Sequence, residues 1–190
     1  MLPLILAVSG FNANILADFW LENLVVFAAL LGLILAYRSI PLSNRSWLMI
    51  LVLLCVHEYG AMYAYNNVPL GEWAKAWLHT DRNHYDRLVH LLYGLLITWP
   101  VIEACRMKGV QWPSLTAVQF ILATSAVYEI IEWVVATIAA GKLAEEFVGA
   151  QGDVFDAPKD MSAALIGSLF VVLVVRLRKN WVSLNLPLQS

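Results

Sequence analysis

The stretch Asp153–Val175, DVFDAPKDMSAALIGSLFVVLVV, decides how the chain must be read. Its second half continues an apolar run that approaches the ~20 residues needed to cross a bilayer as helix. Its first eight residues hold Asp153, Asp156 and Asp160. Carboxylates at i, i+3 and i+7 fall on one side of a helix. A helix that enters lipid by this end therefore brings a row of acids to one membrane surface.

Composition extends that reading to the whole chain. Of 190 residues 61% are hydrophobic and only 14% charged, and the mean hydropathy is +0.69. A soluble domain would be roughly half apolar and about a quarter charged. Five long apolar runs can be drawn, at about 20–37, 47–65, 85–105, 113–140 and 158–177. The expectation is an all-α polytopic membrane protein, a single domain built as a bundle of about five transmembrane helices. The turn NNVPLG (66–71) is expected to break the second span. Trp47, Trp73, Trp77, Trp112 and Trp181 fall near the boundaries, as an aromatic belt would. The N-terminal MLPLILAVSG is too short to cross and lacks the basic start of a signal peptide, so it reads as a short membrane segment that is retained. Cys55 and Cys105 lie in or beside apolar runs and read as packing residues. A net charge of -2 says nothing useful about partners, and no basic stripe suggests a nucleic acid.

Loop charges give an orientation. Arg38, Arg45, Arg106, Lys108, Arg176, Arg178 and Lys179 gather on one side, while Asp18, Glu22, Glu72, Asp81, Glu145 and Glu146 gather on the other. Cationic loops stay in the cytoplasm. The C-terminus is expected inside, with loops 66–84 and 141–157 outside.

Four spans then carry their ionisable residues to the outer leaflet. Span two has His57 and Glu58; span three opens with Asp86, Arg87 and His90; span four has Glu129 and Glu132; span five opens with the three aspartates. Ser125, Glu129, Glu132, Ala136 and Ala139 form one stripe on span four, and Asp160, Ala164 and Ser168 one row on span five. Small residues at this spacing let helices approach, so the acids point into the bundle. An acid at mid-membrane costs roughly 2.5–3.5 kcal/mol on insertion scales, so Glu58, Glu129 and Glu132 together could cost on the order of 8 kcal/mol. Clustered carboxylates also repel unless a cation or shared protons intervene.

Plainer roles compete for the same residues. Asp156 suits the N-terminal cap of a helix with Pro158 in its first turn. Asp86 and Arg87 suit a local salt bridge, Asp86 and His90 an i,i+4 contact, and His57 with Glu58 an internal polar pair. Glu129 with Glu132 is harder to explain, because like charges one turn apart do not help a helix. His79, His84 and Glu103 are weaker candidates, Glu103 lying toward the inner interface within reach of water. No HExxH, paired ExxH or GxSxG motif is present. The case for a site rests on convergence.

At these residues the chain resembles the YjdF-like family of bacterial inner-membrane proteins, from about Trp20 to Arg176. The resemblance is carried by HEYGAMYAYNNVPLG, RNHYDRLVHLLYG, YEIIEW and GAQGDVFDAPKDM. It implies a small polytopic inner-membrane protein and no particular reaction. A more distant similarity is to VanZ-like proteins, with Asp86, Arg87 and His90 matching one element, Glu129 or Glu132 a second, and Asp156 or Asp160 with Gly167 a third. The arginine-containing segment usual before the last Asp of that group is replaced here by GAQGDVFD.

The leading expectation is an outer-leaflet site for a divalent metal (magnesium, manganese or zinc) that acts on, or binds, an envelope lipid or lipid-linked headgroup. Its candidate ligands are Asp86, His90, Glu129, Asp153, Asp156, Asp160 and Glu58, oxygen and imidazole donors that suit such ions. Glu132 or His57 would transfer a proton and Arg87 would meet a phosphate. Two other classes remain: a structural or partner-binding protein whose acids pin the bundle, and a proton or cation transporter, which needs a polar path to the inner face.

Overall fold

A computed structural model describes Gly10 and residues 16–138 and 151–185, except for the side chains of 17, 18 and 179–185. The apolar segment 1–9, the loop acids Glu145 and Glu146, and the Ala139 end of the span-four stripe lie outside the described residues, as do the side chains of Asp18, Lys179 and Trp181.

The described elements are α1 (Leu16–Ala36), α2 (Asn44–Ala61), α3 (Pro69–Leu78), α4 (Tyr85–Met107), α5 (Pro113–Ile138) and α6 (Asp156–Asn185), with no strand among the described residues. The all-α reading holds. Among the described residues four helices, against about five expected, are long and apolar enough to cross a membrane: Phe19–Ala36, Tyr85–Met107, Pro113–Ile138 and Asp156–Arg178. The exception is α2. Its 18 residues begin with Asn44 and Arg45 and carry His57 and Glu58, which dilute the apolar run between them. It also stops at Ala61, before the expected breaker, where Ala64 and Tyr65 adopt positive φ. Pro69 then opens α3 at its N-terminus rather than only ending α2, because a proline in a first turn forfeits no helical hydrogen bond. The loop expected at 66–84 is therefore partly helical.

Helix α4 is central and packs on α2, α5 and α6, and α5 also packs on α6. The α4–α6 contact is set by backbone proximity. A Cβ on Gly94 would collide with the Ala164 carbonyl, and one on Gly167 would collide with the Leu91 carbonyl. Thr98 reinforces the contact, its hydroxyl lying 2.8 Å from Ser168 Oγ and 2.6 Å from the Gly94 carbonyl. Asp160, Ala164 and Ser168 are all buried, so the row read on the last span is the packed face.

At the opposite end Glu103 ties α4 to α2. It accepts from the Ser43 backbone N–H and hydroxyl, both at 3.0 Å, and from the Ser46 hydroxyl. Ser43 is itself the N-cap of α2. Glu103 thus organises a helix start rather than merely reaching water. Arg45 and Arg106 lie over the Trp99 ring at 5.3 and 5.5 Å.

Gly94→Ala should lower the thermal unfolding midpoint in detergent, since overpacking a close contact costs about 1–3 kcal/mol. Gly32→Ala, whose added Cβ meets nothing within 4 Å, should leave it unchanged or raise it. Equal midpoints for the two variants would contradict the packing described.

Candidate functional site

The acid-bearing end is assembled from the loop before α4 and the leading turn of α6. Asn83 is the hinge of that assembly. Its side-chain amide donates to the Val68 carbonyl at 3.1 Å and to Glu72 at 2.9 Å, and its Oδ1 accepts from Tyr85 N–H. A Cβ on Gly71 would overlap this amide, which explains a glycine inside α3. Gln151 clasps the same residue from the other segment, accepting from Asn83 N–H at 2.9 Å and donating to its carbonyl at 3.1 Å. Two loops distant in sequence are thereby held in register above the cluster.

Within the cluster Asp156 receives two guanidinium groups. Arg82 approaches its Oδ1 at 2.5 Å and Arg87 at 3.3 Å. Arg82 also faces Asp86 at 4.0 Å, and Arg87 reaches Asp153 at 2.5 Å and Asp160 at 3.7 Å. The local Asp86–Arg87 pair expected from sequence gives way to this cross-helix pattern. His90 sits between acids, its Nε2 at 3.6 Å from Asp86 and 3.3 Å from Glu129, with Ser125 at 3.4 Å from Nδ1. Glu132 is buried one turn beyond Glu129.

Asp156 is the first residue of α6, but its carboxylate is engaged by the arginines. The side-chain bond to backbone at this end comes from Asp153, whose Oδ1 accepts from Phe155 N–H at 3.1 Å. Lys159 lies 2.6 Å from the other oxygen of Asp153. Lys159, the Phe155 N–H and Arg87 together hold the Asp153 carboxyl well below the usual carboxylate range. A depressed value stabilises the fold above the ordinary aspartate pKa of ~3.9 and is lost only as pH falls through the lower, folded value. Next to the cluster, partial burial and then the charges of Arg87 and Arg82 push the His84 imidazole below its ordinary value.

Three of the sequence candidates, Asp86, Asp156 and Asp160, each offer a carboxylate oxygen within 4.8 Å of the other two. Asp160 is 1% exposed. Its Oδ1, like Glu129 Oε1, is buried and accepts no hydrogen bond. Asp153 stays with Arg87 and Lys159, and His90 and Glu129 adjoin Asp86. His57 and Glu58 part company on α2. His57 pairs with the Tyr65 hydroxyl at 2.6 Å and lines a cleft shared with Asp86 and His90, while Glu58 is buried and outside the three-aspartate group.

Three charged residues in or near the cluster were missed: Lys159, which holds Asp153, and two others. Arg82 lies four residues before Asp86, a spacing that could have suggested the pair. Glu22, counted with the loop acids, is buried within α1 and accepts from the Tyr128 hydroxyl at 2.6 Å.

A family model described as "Predicted membrane protein (DUF2238)" matches residues 1–180. The chain belongs to this family. Among its relatives is the Escherichia coli (strain K12) "Inner membrane protein YjdF", 33% identical over 177 residues, covering 90% of this chain and 84% of the relative. No solved structure matches. These matches concern the YjdF-like resemblance and leave the VanZ-like one an expectation.

Arg82 and Asp156 are both largely buried and Arg82 is the closer of the two arginines, so its removal leaves the carboxylate to Arg87 alone, at a cost toward the lower end of the about 3–5 kcal/mol for breaking a buried pair. Arg82→Gln should lower the unfolding midpoint strongly, and adding Asp156→Asn should recover part of the loss in a double-mutant cycle. Simple additivity of the two substitutions would show that the pair is not coupled.

Proposed function

We propose that this protein is an inner-membrane bundle, C-terminus in the cytoplasm, that holds a divalent metal ion at the periplasmic headgroup level and through it binds a phosphate-bearing envelope lipid. The observation that carries the reading is Asp160 Oδ1. It is a buried carboxylate oxygen without a hydrogen bond, 3.7 Å from Arg87 Nε and beside Asp86 and Asp156. A buried acceptor left unmade costs more than a neutral hydrogen bond returns, and a hard cation satisfies several such oxygens together.

Charge balance points the same way. Six carboxylates (Asp86, Glu129, Glu132, Asp153, Asp156, Asp160) share the region with three fixed cations, Arg82, Arg87 and Lys159. Shared protons or a divalent ion would offset the excess, and only the ion also satisfies several carboxylate oxygens together. In this reading Asp86, Asp156 and Asp160 are the ligands, and His90 and Glu129 orient Asp86 from behind. Arg87 is already engaged by three aspartates, so the phosphate meets the metal, with Arg87 positioning its ligands. Glu132 is the group placed to move a proton should a reaction follow.

A second reading has its own observation. Arg82 and Arg87 both clamp Asp156, which would by itself pin α6 to the start of α4. The cluster would then be a structural staple. A transporter fits less well, because the cleft leading from this end toward Trp47 is lined past Tyr93 and Thr124 by apolar side chains that give an ion nothing to bind.

Metal content of the detergent-purified protein separates the readings. About one divalent ion per chain is expected, lost in Asp160→Asn, a substitution that spares both close arginine contacts of Asp156. No ion in the wild-type protein after loading with magnesium, manganese or zinc would leave the staple as the account of these residues.

A further inference from the structure

The cluster is one end of a larger feature. A cleft of about 640 Å³ lies between α1, α2, α4 and α5, and Asp86 and His90 belong both to its wall and to the acid cluster. The cleft follows α1 from Glu22 to Ala36. That is 15 residues of helix, or roughly 21 Å from first to last at the usual rise. Its volume falls within the several-hundred Å³ typical of ligand pockets, but its shape is long and its lining almost wholly apolar beyond the polar end. A Cβ on Gly32 would meet no atom within 4 Å, so the α1 wall has room there for a neighbouring group.

The polar end supplies an independent observation. His57 uses Nδ1 on the Tyr65 hydroxyl, while its Nε2 is buried and has no hydrogen-bond partner. Both residues line the cleft. An oxygen placed there would complete the imidazole. Glu22 is already committed to Tyr128, and its bond pins the polar end of α1 to α5 while the rest of α1 forms one long wall.

We infer that this cleft receives one long hydrocarbon chain of a membrane lipid, with the first oxygen of its head against His57 and the head itself at Asp86 and His90. The match is one of shape and polarity. A linear apolar chain fits a long apolar cleft whose ionisable groups gather at one end. The bilayer supplies such chains at high concentration. The inference deepens the proposed lipid reading and rests on it for the position of the head, but the chain and the metal can succeed or fail separately.

The test is photolabelling of the purified full chain with phosphatidic acid carrying a diazirine in the middle of one sixteen-carbon chain, mapped by peptide mass spectrometry. Labelling is expected on the cleft-facing segments of α1 and α4, around Val26–Leu33 and Tyr93–Val101, and unlabelled lipid with eight-carbon chains should compete poorly. Gly32→Phe should cut cleft labelling at least tenfold, and Ala36→Phe, farther along the same wall, should do the same. Both variants should keep the wild-type unfolding midpoint and bound metal. Asp160→Asn should lose the metal and keep the cleft label. Label spread over outward-facing positions such as Trp133, Ile138 and Leu169, or cleft label unaffected by both phenylalanines, would overturn the inference. So would an unlabelled cleft, the result expected if the chain's own first residues or a second copy fill it. A labelled cleft in protein that binds no metal would instead overturn the metal reading alone.

Discussion

Asp156 held by Arg82 and Arg87 is the constraint on which the rest depends. Charges this deep survive only when paired, because the cost of removing them from water exceeds any single surface ion pair. The pairing joins the loop before α4, the first turn of α4 and the first turn of α6. Once these are fixed, Asp86, Asp160 and His90 have little choice of position. The site is a consequence of how the bundle neutralises its own charges.

Close packing makes that arrangement rigid. Gly94 and Gly167 bring the α4 and α6 backbones together below the cluster, and Thr98 with Ser168 fastens them. Asn83 and Gln151 close the top. Between these two clamps the carboxylates cannot drift apart to relieve their repulsion. The opposite side of α4 is looser: α1 touches the bundle chiefly at its polar end, through Phe19 and the Glu22–Tyr128 bond, and leaves the cleft beside it. One helix therefore serves a tight polar seam on one face and an open apolar space on the other.

Much of this was legible in the sequence. Apolar length gave the helices, and the spacing of Asp86 with His90 and of Asp156 with Asp160 placed each pair on one face. Small residues at Ala164 and Ser168 marked the packed row. What escaped depended on tertiary position. Arg82 lies outside any periodic segment, so sequence gives it no depth. Glu22 stands at the edge of the first apolar run, where loop and helix acids look alike. His57 and Glu58 are neighbours in sequence, but successive helix positions face different directions, and they separate in the fold. Pro69 was read as a breaker because proline both ends helices and starts them, and only the following turn decides which. The cleft was invisible, since it is made of what four helices leave unfilled.

The account stands or falls on a metal ion that bridges the aspartates to a lipid phosphate. Pulsed electron paramagnetic resonance of the manganese-loaded protein in phospholipid nanodiscs tests that bridge directly. A single bound manganese with resolved phosphorus-31 hyperfine coupling, absent in Asp160→Asn, is the result predicted. A spectrum of hydrated manganese alone, unchanged by the substitution, would contradict it.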